Sequence, residues 1–209
     1  MKTLRMKFLL IAAGLFFTLP LSAQVDFGGK LGAGMSNMKN IFPDSKARIG
    51  IQAGLVARFQ LEYSSYRTFK NYIQAELVYS AQGEKNGKYE QYVDYLTLPV
   101  MYKYYLTDSD ADFFVEAGPQ FSYAINTNLE PYKSHDPSKP HFGSDNNILN
   151  KFDVAFNGGI GYSFQRKFEL NLRYSLGLMD TFDYKYKDNK HNRSSFLSFS
   201  MIYFFNTYY

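Results

Sequence analysis

Seven charged residues stand out because each falls in the polar register of an otherwise apolar alternation: Lys30, Arg58, Glu76, Lys103, Glu116, Glu169 and Arg173. Glu169 and Arg173 show the pattern best. Phe168, Leu170, Leu172, Tyr174, Leu176 and Leu178 alternate with Glu169, Asn171, Arg173, Ser175 and Gly177. On a strand these two sets point to opposite faces. Charges of both signs in mid-strand can neutralise one another in a closed interior, line an ion path, or face water. A buried charge left without a partner is strongly destabilising, so a closed interior requires these seven to pair.

Other groupings carry weaker chemistry. His135, His141 and His191, with Asp136, Asp145 and Asp188, are residue types that hold metals or serve hydrolysis. They lack the spacing of a zinc hydrolase or of a Gly-x-Ser-x-Gly nucleophile turn, and solvated loop histidines fit better. The glycine run Gly28–Gly34 lacks the Lys-Ser/Thr ending of a phosphate cradle and opens no helix. Its glycines read instead as strand positions that allow bends and close packing. No catalytic, cofactor or metal residue is assigned, and no enzyme activity is expected. The stretch 126–150 is long and polar, and in it Tyr132, His135, His141 and Phe142 are candidate interaction residues, since long loops often carry binding.

The elements that position these residues follow from composition and patterning. The chain has 209 residues, no Cys and no Trp, but 19 Tyr and 20 Phe. Without cysteine there is neither a disulfide framework nor a thiolate metal site. Lys2, Arg5 and Lys7 precede an apolar run from Phe8 to Leu19, then Pro20 and a small residue, Ala23. Residues 1–23 read as a secretory signal peptide, which leaves 24–209 as one domain. No Cys follows the expected cleavage point to take a lipoprotein anchor. Without 1–23 the formal charge of +4 falls to +1, which gives no reason to expect a nucleic-acid partner.

Alternation marks eight strands, roughly 25–36, 48–60, 69–82, 91–107, 111–125, 153–164, 168–179 and 194–206. Each reaches the ~9–11 residues that a tilted lipid-spanning strand needs. Pro99 removes a ladder donor within the fourth and predicts a bulge there. The first, third, fifth and seventh connections read as longer than the others, the loop asymmetry of outer-membrane barrels. External loops would then be 37–47, 83–90, 126–150 and 180–193, with both termini periplasmic. Tyr63, Tyr66, Phe69, Tyr104, Tyr105, Phe164 and Phe168 cluster at the short-turn end, where an aromatic girdle would lie. Tyr203, Phe205, Thr207 and Tyr209 share one outward frame, a pattern that resembles the C-terminal signal read by the barrel-assembly machinery. The fold expected is an all-β, eight-stranded, antiparallel up-and-down transmembrane barrel. A porin-like channel, a lipid-modifying enzyme with rim histidines and a secreted lipocalin-like binder are the alternatives weighed. The charged inward set disfavours the last.

Four stretches carry a family resemblance: Gly28-Gly29-Lys30-Leu31-Gly32-Ala33-Gly34; Tyr95-Leu96-Thr97-Leu98-Pro99-Val100-Met101-Tyr102-Lys103-Tyr104-Tyr105; Phe113-Phe114-Val115-Glu116-Ala117-Gly118-Pro119; and Gly158-Gly159-Ile160-Gly161-Tyr162 with Leu172-Arg173-Tyr174-Ser175-Leu176-Gly177-Leu178. In order and spacing they resemble the PorT-like outer-membrane β-barrel proteins of the Bacteroidetes, over essentially the whole mature chain. Thr97 departs from the Glu expected in many members, so one internal charge is missing. The resemblance implies an outer-membrane location and a small barrel in contact with outer-membrane lipid. The family's founding name refers to protease secretion through the type IX system, but most relatives have no assigned role; envelope or secretion-system proteins are the partners considered, with a binding or structural role.

Overall fold

The computed structural model describes residues 25–38, 46–61, 71–85, 89–107, 109, 111–131, 150–180 and 193–206. The leader, the three histidines, Tyr132, Phe142, Tyr63, Tyr66, Phe69, Thr207 and Tyr209 lie outside them. Eight strands follow in order: β1 (Val25–Met38), β2 (Lys46–Gln60), β3 (Asn71–Lys85), β4 (Tyr89–Tyr105), β5 (Asp112–Pro131), β6 (Phe152–Phe164), β7 (Phe168–Gly177) and β8 (Ser194–Phe204). Each pairs antiparallel with its neighbour in sequence, and β8 pairs back with β1 to close a barrel. Closure leaves no open edge, so the backbone satisfies its own donors and acceptors, the condition for strands in lipid. Following the register once around from Val25, through Phe59, Ile73, Tyr102, Ala117, Gly158, Tyr174 and Leu197, returns to β1 at Met35, not at Val25. That stagger is what tilted strands require to close.

The faces are inverted relative to a water-soluble protein. Phe27, Leu31, Ile49, Ile51, Leu55, Phe113, Ile160 and Phe199 are all exposed on the outside, while Lys30, Arg58, Glu76, Lys103 and Glu169 are buried within. A continuous apolar band of this kind belongs in hydrocarbon. Among the described residues no helix is long and apolar enough to cross a membrane. At the end bearing the 165–167 turn, Phe113, Tyr162, Phe164 and Phe168 form consecutive ring contacts with centroids 4.7–5.9 Å apart, and Tyr203 meets Phe205 at 6.0 Å. This is the aromatic belt expected at a membrane–water interface.

Tyr105 does not belong to that belt. It is wholly buried in the lumen, because it shares the frame of Met101 and Lys103; only its neighbour Tyr104 faces outward. Nor does Pro99 produce a bulge. The β3–β4 ladder skips Glu76 and Leu77 opposite Leu98 and Pro99, and the β4–β5 ladder skips Val100 and Met101 opposite Gly118 and Pro119, with the same register on either side. A short gap absorbs the missing proline donors, and the bulge of this strand pair sits at Asp94/Tyr95.

The connections also depart from the expected sorting. β3 and β4 run on until only residues 86–88 separate them, whereas 61–70 separate β2 from β3. β3 continues because the Ser36 hydroxyl donates to the Gly83 carbonyl (2.6 Å) and accepts from its N–H (2.9 Å), and Gly83 tolerates φ 145. β5 reaches Pro131, paired with Tyr89, so the expected 126–150 loop begins later. The two longest connections, 132–151 and 178–193, still lie at one end, called here the loop end; the other is the turn end.

A folded barrel of this kind should migrate differently on a gel before and after boiling and should pellet with the outer membrane on fractionation of the cell envelope. A chain that stays in the soluble periplasmic fraction with no boiling shift would contradict the inverted faces.

Candidate functional site

Among the described residues the lumen gathers the buried charge. Period-two alternation aims Lys30 from β1, Arg58 from β2, Glu76 from β3, Lys103 from β4, Glu116 from β5, and Glu169 and Arg173 from β7 inward, and all seven are buried. They form a chain of alternating sign. Lys30 Nζ lies 2.8 Å from Glu76 Oε2. Arg173 grips the same carboxylate through both terminal nitrogens, at 2.7 and 2.9 Å, and donates from Nε to Glu116 Oε1 at 2.6 Å. Lys103 Nζ sits 3.8 Å from Glu116 Oε2 and 2.6 Å from Glu169 Oε2. Arg58 Nη1 meets Glu169 Oε1 at 2.8 Å, and its Nη2 meets Asp26 Oδ2 at 2.6 Å. The path runs β1–β3–β7–β5–β4–β7–β2–β1, so most of its links span the barrel rather than follow its wall.

Four further residues complete this arrangement, and the sequence signalled three of them. Asp26 shares the inward frame of Lys30, and Gln74 that of Glu76; the Gln74 amide donates to Glu76 (2.6 Å) and accepts from Lys103 (2.7 Å). Tyr105 accepts from Arg58 at 2.8 Å and donates a very short hydrogen bond to Glu169. Arg166 carried no periodic signal, because it lies in a turn. Gln165 and Arg166 both have φ 51, and Lys167 N–H closes on the Phe164 carbonyl at 3.0 Å, the geometry of a type I′ hairpin turn built without glycine or asparagine. That conformation is unfavourable for such residues. Contacts of Arg166 offset it: the side chain folds back into the turn end, stacks over the Tyr105 ring at 3.6 Å, donates to the Thr107 and Ser109 carbonyls and pairs with Asp112 at 3.6 Å.

Aromatic rings fill the space between the ions. Arg58 lies 3.9 Å from the Phe204 ring centre and 4.7 Å from that of Tyr72, and Lys103 lies 4.3 Å from that of Phe114. Cations stripped of water gain from such ring faces. Gly161 makes room for Phe114, since a Cβ there would collide with the ring; Gly34 does the same for Phe196, whose Cζ would be 2.7 Å away. The glycine runs therefore serve packing, as strand glycines opposite large inward residues do. Thr97, where a Glu would add a charge, is buried and donates to the Val78 carbonyl at 3.2 Å. Among the described residues two small cavities lie in the lumen toward the loop end, each with room for about one water molecule. Chemically, the network can hold the lumen shut and rigid. Among the described residues no group of three or more His, Asp or Glu is placed to share a metal ion, and the four candidate loop residues, Tyr132, His135, His141 and Phe142, lie outside the described residues.

Among solved structures the chain is similar to Neisserial surface protein A (11% identity, TM-score 0.49, 87% of this chain and 99% of the other). It is also similar to Ail, the attachment invasion locus protein of Yersinia pestis (10%, 0.47, 87% and 99%), and to the outer membrane enzyme PagL (12%, 0.46, 84% and 98%). A search of curated proteins finds no match. The family model described as outer membrane protein beta-barrel domain matches residues 18–183, which takes in β1 to β7 while the structure adds β8 as the closing strand. The chain belongs to this outer-membrane β-barrel family.

Proposed function

We propose that this protein is a PorT-like barrel of the Bacteroidetes envelope that works by contact, through the connections at its loop end, and neither conducts nor catalyses. The observation that carries this reading is the closed lumen. Arg58, Tyr105, Lys103, Phe114, Phe204, Met101 and Ile202 leave almost no exposed surface inside, and the ion-pair chain ties opposite walls together. A solute would have to break several buried, charge-assisted bonds to pass. Eight strands enclose an interior just wide enough for side chains, and here side chains occupy it. The outer wall is committed to lipid, which leaves the two ends for partners. The loop end carries the longest connections, with Tyr132, His135, His141 and Phe142 in one of them. In this reading the leader exports the chain, the barrel-assembly machinery inserts it with both termini periplasmic, and envelope or secretion-system proteins are its partners.

Three outcomes are expected. In planar bilayers the purified barrel should give no discrete conductance steps above the lipid baseline; regular steps would favour the porin-like alternative. Replacing Arg173 by Met leaves Glu76 with Lys30 alone and Glu116 with only Lys103 at 3.8 Å, so one buried negative charge goes unanswered, and the urea unfolding midpoint in detergent micelles should fall by an amount worth about 3–5 kcal/mol. A shift below about 1 kcal/mol would mean the pairs bear no weight. A chain lacking residues 132–149 should still insert and shift on boiling, yet lose the envelope proteins that cross-link to the intact chain at the cell surface. Retention of the same cross-links would move the contact surface elsewhere.

A further inference from the structure

Above the ion-pair chain the lumen changes character. Toward the loop end the buried polar side chains, among the described residues, are amides and hydroxyls such as Gln52, Ser80, Gln82, Gln120 and Ser122, with one carboxylate, Asp153. Asp153 is 5% exposed. Its Oδ2 accepts from the Ser194 hydroxyl at 3.1 Å. Oδ1, however, has no hydrogen-bond partner, and neither does the Tyr95 hydroxyl, on a side chain 1% exposed. Both residues line one small chamber, together with Gln82, Gln120, Ser122 and Ser194. Among the described residues no Lys or Arg lines it. Asp26, Glu76, Asp112, Glu116 and Glu169, the buried acids lower in the lumen, each have a Lys or Arg in ion-pair range. Among the described residues Asp153 is thus the buried acid that no cation answers.

We propose that this chamber binds one monovalent cation of sodium or potassium size, held by Asp153 with the hydroxyls of Tyr95, Ser122 and Ser194 as neutral oxygens around it. Three features select that ligand. The donors are all hard oxygens, which suit an alkali cation rather than a soft metal. The chamber has room for about one water-sized sphere, too little for an organic ammonium ion or a sugar. A single carboxylate matches a single charge, whereas calcium sites gather 6–8 oxygens, several of them usually from carboxylates. Burying the acid with a counterion also removes the cost of leaving it charged and alone.

The test uses the full barrel, refolded in detergent micelles, with thermal unfolding followed at fixed ionic strength in sodium, potassium or choline chloride. A cation that binds only the folded barrel raises its midpoint by mass action. The wild-type midpoint should be about 2–4 °C higher in sodium or potassium than in choline, and the difference should saturate with concentration. Asp153→Asn should give one midpoint in all three salts. Asp94→Asn, at a carboxylate outside the chamber that accepts from Asn126 at 3.1 Å, should keep the wild-type difference. Equal wild-type midpoints in the three salts, or a difference that survives in Asp153→Asn, would overturn the proposal and leave water as the occupant. A shift produced by calcium but by neither alkali cation would overturn the charge assignment. If Asp153→Asn does not refold, sodium-23 relaxation on the wild-type barrel decides: broadening that potassium displaces and choline does not is expected, and no broadening sinks the site.

Discussion

Charge neutrality inside a dry lumen is the constraint on which the rest of this barrel depends. Each ionised group that a strand turns inward loses its water, and the effective penalty is several kcal/mol unless a partner of opposite sign is within reach. The chain answers with Lys30, Arg58, Lys103, Arg166 and Arg173 against Asp26, Glu76, Asp112, Glu116 and Glu169, equal in number and interleaved in space. Arg173 sits at the middle because a planar guanidinium can present two donors to Glu76 and a third to Glu116 at once; a lysine there could not reproduce the fork. The same network fixes the register. A slip by one residue in any of β1, β2, β3, β4, β5 or β7 would send its inward charges into lipid and its outward apolar side chains into the ion-pair chain. Pairing across the lumen and lipid on the outer wall thus select a single alignment of eight strands.

Packing and electrostatics are not separable here. Phe204 and Tyr72 flank Arg58, Phe114 flanks Lys103, and Tyr105 lies between Arg58, Glu169 and Arg166. The rings displace water, which strengthens each ionic contact by lowering the local dielectric, and their faces add attraction to the cations they cover. They fit because small residues stand opposite them, Gly161 against Phe114 and Gly34 against Phe196. A run that looks like a nucleotide loop when read along the chain is, read across the barrel, the space left for the neighbouring strand's aromatics.

The strand number, the inverted faces and the seven inward charges were legible because all three follow from strict period-two alternation, which survives tertiary folding when one face meets lipid and the other a filled lumen. Tyr105 was misplaced because a tyrosine near a strand end suits an interfacial girdle as well as a lumen; only its frame, shared with Lys103, decides. Arg166 was invisible because turn residues have no periodic face, and its direction depends on a positive φ that no local preference of Arg supplies. Pro99 misled because a missing donor can be absorbed by a short gap in the ladder as well as by an inserted residue. β3, β4 and β5 run past the expected strand ends, since polar residues such as Glu84, Lys85 and Asn128 mark a loop in most proteins but simply continue a hairpin beyond the apolar band here.

The lumen is divided along its axis, and the division carries a functional consequence. Ion pairs and aromatic rings occupy the turn-end half, where Arg58, Glu169, Tyr105 and Arg166 interlock and the tight 165–167 turn folds its own arginine inward. Amides and hydroxyls with a single buried carboxylate occupy the loop-end half, where Gln82, Gln120, Ser122 and Asp153 surround open space. Buried ion pairs resist rearrangement because every alternative arrangement passes through an unpaired charge, whereas neutral hydrogen bonds exchange with water at little net cost. The turn end is therefore built to stay as it is, and the loop-end half is the one whose hydrogen bonds can exchange with water without unfolding the barrel. The barrel thus carries its ion-paired rigidity toward one end of its axis and its exchangeable bonds toward the other.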